Sequence, residues 1–416
     1  MSELGIYIHI PFCKQKCYYC DFISFENKQN EIGQYCKALI KEIQHESKNI
    51  KESVSTIYVG GGTPSFVDAN YVKQIIEVVK SNYYIQKNAE ITVEINPGTV
   101  NEEKLKKYKE AGVNRLSIGL QSTKNELLKQ IGRIHTFEEF LFSYNLARKT
   151  GFQNINVDLM LGLPNQTLED IEDSLKQIIK IDPEHISLYS LIVEENTKIE
   201  KMINNGDIML PEEELERNMY WKTKEILEKN NYKHYEISNY AKEGYESKHN
   251  SNCWKQKEYL GFGIAAHSYY QNKRYCNIDA IERYCKNIEN NNIRNNRIIC
   301  EIQTNEENRK EYMLLGLRMI DGINIQEFKN KFIDNPIYVF HKELEKLVKE
   351  NLIEIDLNQI KLTNKGLDLA NLVWEEFVWN VPIASQKIHK KISTCYWQVL
   401  ILGIIYMKLA IKDLKC

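Results

Sequence analysis

The sequence has almost no net charge: Lys+Arg 55 against Asp+Glu 57 leaves −2 over 416 residues. A dedicated nucleic-acid binder carries a basic domain or face, so that class is disfavoured and no nucleic-acid partner is expected. A secretory leader is lacking too. Met1-Ser2-Glu3-Leu4-Gly5 has no basic segment, and the apolar run at residues 6–10 is too short for one. No internal repeat or long low-complexity segment interrupts the chain. The apolar run at residues 399–405 falls short of the ~20 residues that a spanning helix needs. With 43% hydrophobic residues, disorder is excluded as the main state. These absences leave a cytoplasmic, globular chain of two or three domains at ~150 residues each.

Cysteine is plentiful, at ten residues. A chain this long is no disulfide scaffold, and thiols in the cytosol stay reduced. Clustered cysteines there mean metal or catalysis. The cluster is Cys13-Lys14-Gln15-Lys16-Cys17-Tyr18-Tyr19-Cys20, directly after the first apolar run. Three thiolates on one short loop can ligate three irons of a [4Fe-4S] cluster and leave the fourth iron open. Zinc held by three cysteines and a histidine is the alternative, with His9 close by. The residues alone leave both open and favour iron–sulfur, because His9 lies inside a strand. The other seven cysteines read as structural thiols.

To about Asn239 the chain alternates strand and helix. Buried strands are expected at residues 6–10, 56–59, 91–95, 115–120, 155–161 and 185–191, with amphipathic helices between them, as at 31–46 and 72–79. This repetition gives an α/β fold with a parallel sheet. Six units are too few for a closed eight-unit barrel, so a partial, open (β/α)6 barrel over 1–240 is expected. Residues 241–300 read as a connecting region of ordered loop and short strands, and the Asn-rich stretch 287–297 reads as a linker. Helices at 311–319, 325–332 and 339–350, then a hairpin around Asp356-Leu357-Asn358, give a winged-helix-like α+β domain over 301–378. Its third helix mixes Lys342, Lys346 and Lys349 with Glu343, Glu345 and Glu350, which disfavours DNA. A basic, apolar tail covers 379–416. It is expected either to pack on the C-terminal domain or to lie on an anionic membrane surface.

CxxxCxxC after the first strand of a βα barrel resembles the radical S-adenosylmethionine (SAM) superfamily. Tyr7-Ile8-His9-Ile10-Pro11-Phe12-Cys13 is similar to the oxygen-independent coproporphyrinogen III oxidase family, over about Leu4 to Val378. The resemblance implies a [4Fe-4S] cluster on Cys13, Cys17 and Cys20, with SAM bound at its open iron. An electron donor would reduce the cluster, and an electron passed into SAM would give methionine and a 5′-deoxyadenosyl radical. Gly60-Gly61-Gly62-Thr63-Pro64 follows the second strand, where exposed N–H groups can hold a carboxylate. In the family this loop, with Gly61, Gly62 and Thr63, meets the methionine part of SAM. Glu94 would take the SAM amino group, Arg133 a carboxylate and Asp158 the ribose hydroxyls, with Gln121, Tyr7 and Tyr19 as further contacts.

Two branches of that family compete. The oxidase branch carries CxxxCxxCxC and a long segment ahead of the first strand. Here Phe22 replaces the last cysteine, and the chain starts just before the strand. Both departures resemble the haem-chaperone branch, which carries HNxxYW. This sequence has His249-Asn250-Ser251-Asn252-Cys253-Trp254, with Cys253 in place of tyrosine. By that resemblance His249 is a haem ligand. The expected partners are haem and haem-accepting proteins, membrane respiratory enzymes among them. Coproporphyrinogen oxidation is the alternative, and radical SAM chemistry on RNA a minor one.

Overall fold

The computed structural model describes residues 3–378. The tail at 379–416 lies outside the described residues. Six parallel strands stand in chain order: β1 (Glu3–Ile10), β2 (Ser53–Gly61), β3 (Tyr84–Ile95), β4 (Arg115–Gln121), β5 (Ile155–Leu161) and β6 (His185–Ser190). Helices such as Ile32–Glu46, Ala69–Asn82 and Leu168–Ile181 connect them. The outer face of these strands is apolar because the helices cover it. Val59, Val93, Leu116, Ile118, Val157 and Ile186 are fully or almost fully buried there. The architecture is the expected open partial barrel.

The sheet continues past both edges of that barrel. It adds β7 (Lys233–Glu236), β8 (Asn239–Ala241), β9 (Tyr259–Phe262), β10 (His267–Tyr270), β11 (Lys273–Asn277) and β12 (Arg297–Ile302). The full order is β12-β11-β10-β9-β1-β2-β3-β4-β5-β6-β8-β7, twelve strands in one sheet. Only β9 joins parallel, against β1, while β7, β8 and β10 to β12 pair antiparallel.

One sequence expectation is overturned here. The Asn-rich stretch 287–297 is not a linker but part of a helix, a 3-10 turn and the start of β12. Its asparagines bond to the chain itself. Asn287 Nδ2 donates to Asn296 Oδ1 at 2.7 Å, and Asn296 Nδ2 to the Tyr284 carbonyl at 3.2 Å. Asn296 is completely buried, so composition alone misleads: an amide with both its ends hydrogen-bonded can be buried.

A second core forms around β13 (Ile323–Asn324), β14 (Ile353–Ile355) and β15 (Gln359–Leu362), in the order β13-β15-β14, with helices Asn305–Gly316, Ile325–Phe332 and His341–Lys349. This is the winged-helix-like part. Ile237 and Trp254, from the barrel side, belong to this core. At the junction Arg318 and Glu236 are both fully buried and paired at 3.4 Å, and the guanidinium lies 4.4 Å from the Trp254 ring centre and 5.5 Å from that of Trp374. Burial outweighs the pairing for both groups, holding Glu236 above and Arg318 below its usual range. Replacing Arg318 by methionine would strand the carboxylate. Urea unfolding should show a loss of about 3–5 kcal/mol, partly recovered when Glu236→Gln is added. No helix among the described residues is long and apolar enough to cross a membrane.

Candidate functional site

Strand periodicity builds the site. Side chains two apart share a face, so rows across adjacent strands face one side together. Thr92 stands beside Arg115, Glu94 beside Ser117, Ser117 beside Asn156, Gly119 beside Asp158, and Asp158 beside Ser187. Apart from Thr92, which is buried, these residues line a cavity of about 230 Å³ inside the barrel. The inner face is polar where the outer face is apolar.

The cysteine loop closes one end of this cavity. Cys13, Cys17, Cys20, Tyr19 and Phe22 all line it. The loop is fixed from several sides. Cys13 N donates to the Phe25 carbonyl at 3.0 Å, Tyr18 N to Ile131 O at 2.9 Å, and Ile199 N to Tyr18 O at 2.9 Å. The Lys198 ammonium sits 3.6 Å over the Tyr18 ring. Thr63 Oγ1 donates to Cys13 Sγ at 3.5 Å and Arg133 Nη1 to Cys17 Sγ at 3.4 Å. Burial pushes the Cys13 thiol up and the Cys20 thiol up to about 12. The loop by itself therefore keeps these two protonated, and a bound metal is what would convert them to thiolates.

The glycine run works differently from the sequence expectation. Its N–H groups are not open to a ligand carboxylate. Gly61 N donates to Glu94 Oε2 at 3.1 Å, Gly62 N to Ile10 O and Thr63 N to Phe12 O, both at 2.9 Å. What the glycines provide is closeness. Gly61 has φ +113°, and a Cβ there would lie 2.6 Å from His9 Nδ1. A Cβ at Gly62 would lie 3.0 Å from Cys13 Sγ. A side chain at Gly61 would collide with the His9 ring, and one at Gly62 with the start of the cysteine loop.

The other expected residues fall on the same cavity wall: Glu94, Gln121, Arg133 and Asp158. Glu94 Oε1 accepts from Tyr58 OH at 2.8 Å, and burial raises its pKa to about 7. Asp158 Oδ1 accepts from Asn156 Nδ2 at 2.6 Å and Oδ2 from Ser117 at 3.3 Å. Gln121 has φ +75° beside a bulge between β4 and β5, and its Oε1 accepts from Tyr189 OH at 2.9 Å. Such backbone strain concentrates at ligand sites. Arg133 donates to Gly119 O and to Asn96 Oδ1, while its buried Nε has no partner among the described residues.

Tyr7 and His249 do not line the cavity. Tyr7 OH bonds His9 Nδ1 at 2.9 Å, and its ring stacks on Tyr58. His249 lies on a short helix, Lys248–Trp254, rather than a loop, and is buried. Its Nδ1 is 2.9 Å from Thr56 Oγ1, and its ring stacks on Tyr58 with centroids 5.1 Å apart. Glu90 accepts from the N–H groups of Lys248 and His249, pinning the helix start to β3. Trp254 at the other end sits in the second core, so this one helix links the barrel interior to the C-terminal part.

Sequence reading missed Arg115. It is 2% exposed and faces the cavity from the start of β4. Tyr58, Ser117, Asn156 and Ser187 were missed as well. A signal is present as alternation: Arg115, Ser117 and Gln121 share one face of a strand whose other face is Leu116, Ile118 and Leu120.

The Radical SAM superfamily model matches residues 7–178, and the HemN C-terminal domain model matches residues 303–369. A heme chaperone HemW from Lactococcus lactis subsp. lactis is 37% identical over 372 residues, covering 89% of this chain and 96% of the relative. Another from Bacillus subtilis is 37% identical over 376 residues, covering 89% and 98%. The solved structure of coproporphyrinogen III oxidase (HemN) from Escherichia coli, described as a radical SAM enzyme, aligns with a TM-score of 0.78 over 90% of each chain, at 22% identity. That last likeness speaks for the fold alone.

Proposed function

This chain belongs to the heme chaperone HemW family of the radical SAM superfamily, and from that premise we propose that it takes up haem and passes it to haem-requiring proteins. In this reading Cys13, Cys17 and Cys20 hold one [4Fe-4S] cluster, SAM occupies the barrel cavity and His249 ligates haem. The observation that carries it is kinship along nearly the whole chain with proteins named heme chaperones. Phe22 at the place of the oxidase branch's last cysteine favours the same branch.

The donor set fits the proposed groups. Among the described residues, the sulfurs of Cys13, Cys17 and Cys20 are not gathered within 4.8 Å of one another, which suits the separated irons of a cubic cluster better than one zinc ion. Arg133 has a buried, unsatisfied Nε beside Cys17. The cluster and SAM, when bound, supply one-electron reductive chemistry, for which an electron donor is needed. The chain's own residues set the frame. Thr63 and Arg133 orient the sulfurs, Asn156 and Ser117 hold the Asp158 carboxylate toward ribose hydroxyls, and Tyr58 fixes Glu94 for the SAM ammonium.

The titration of Glu94 makes this testable. Its folded pKa of about 7 leaves it half protonated near neutrality, and only the ionised form attracts an ammonium. SAM affinity should weaken as pH falls through 7, approaching tenfold per unit well below it. Glu94→Gln should bind SAM more weakly at pH 8 and lose that slope between pH 5.5 and 7.5. A wild-type affinity that is flat across this range removes Glu94 from the role. The deciding experiment for the whole reading is anaerobic reconstitution followed by haem titration and coproporphyrinogen turnover on one sample. Haem binding without turnover supports the chaperone, and efficient protoporphyrinogen formation supports the oxidase.

A further inference from the structure

A second set of soft ligands lies away from the cysteine loop, on the flank that the sheet adds beyond β9. His267 opens β10, Cys276 lies in β11 and Cys300 in β12. His267 stands directly opposite Cys276, so both side chains leave the same face. Between β11 and β12 the register slips. Tyr275 faces Ile299, but Arg274 faces Glu301, so Cys300 is the extra residue of a bulge. A bulge re-aims a side chain. Here it leaves Cys300 Sγ 3.7 Å from Cys276 Sγ. With a His267 ring nitrogen, the three ligand atoms all lie within 4.8 Å of one another.

We propose that His267, Cys276 and Cys300 form a zinc site. With bonds of about 2.3 Å at a tetrahedral angle, two zinc-bound sulfurs lie about 3.8 Å apart. The 3.7 Å separation matches that edge and is far longer than a disulfide of about 2.05 Å. Two thiolates and an imidazole suit zinc, whereas magnesium and calcium want oxygen. Cys276 is buried, while His267 and Cys300 are half-exposed, so an ion can enter from solvent and water can fill the fourth position. Binding releases the two thiol protons and ties the three strands together through their side chains. The ligands come from three neighbouring strands and none belongs to the cysteine loop, so the site does not depend on the cluster reading.

The test uses the cluster-reconstituted full chain, loaded with zinc sulfate and desalted over a chelating resin. Metal analysis should find about one zinc per chain, and the zinc K-edge should show two sulfurs near 2.3 Å and one nitrogen near 2.0–2.1 Å. Cys276→Ser and Cys300→Ser should each bring zinc to below about a tenth of an equivalent, with the cluster iron unchanged. The proposal is overturned by wild-type protein that retains no zinc, by variants that retain as much as wild type, or by a Cys276–Cys300 disulfide found by thiol mapping of freshly isolated protein. If the variants do not fold, the wild-type edge decides. A zinc shell without two sulfurs overturns the site.

Discussion

Cys17→Ala protein, reconstituted anaerobically, is expected to hold almost no cluster iron, against about four irons per chain in the wild type. The loop has three thiols and no spare. Phe22 stands where a further cysteine would be, and the remaining described cysteines lie on other elements. Removing Cys17 also deprives Arg133 Nη1 of its sulfur acceptor and leaves a half-buried guanidinium facing the gap. Iron analysis and the loss of the charge-transfer absorbance read this directly. Stoichiometric zinc and no iron on the cysteine loop of anaerobically purified wild type would defeat the cluster assignment.

The second large effect concerns haem. His249→Ala should weaken haem binding by at least about tenfold while leaving cluster iron in place. Burial lowers the His249 pKa to about 4, so the imidazole is neutral across physiological pH and can offer a lone pair to iron. With Nδ1–H donating to Thr56 Oγ1, the neutral ring keeps its lone pair on Nε2 for the metal. The ring is buried and stacks on Tyr58, so haem ligation requires the imidazole to be uncovered. Haem spectra of the variant identical to wild type, at equal affinity, would place the ligand elsewhere.

How far the sequence could be read follows from what each element buries. The six barrel strands were legible because their outward residues form continuous apolar runs, as Ile155 to Leu161 shows with identical limits in sequence and structure. The added strands were not. β7 is Lys-His-Tyr-Glu, and its last three residues are buried through ring contacts, hydrogen bonds and an ion pair that no apolar run signals. Asn296 looks like linker and is buried for the same reason. In the site, Cys13, Cys17 and Cys20 announce themselves by spacing. Arg115 is marked only by alternation with Ser117 and Gln121, a pattern that shows a shared face but not that this face meets a cavity. The bulge that brings Cys300 to Cys276 is likewise a property of pairing, invisible in either strand alone.

The pairing of β1 with β9 sets a clock on biosynthesis. β1, at Glu3–Ile10, is made before every other described strand, and it positions the cysteine loop. One of its edges is covered by β2, but the other waits for Tyr259–Phe262, about 250 residues later. At roughly 5–20 residues per second, that edge stays open for about 12–50 s. For that interval the nascent barrel exposes the backbone of an apolar strand next to three reduced thiols. The growing chain is then at its most vulnerable to edge-to-edge association and to thiol oxidation, and cluster loading on a rigid loop belongs to the period after release of the sheet's last strands.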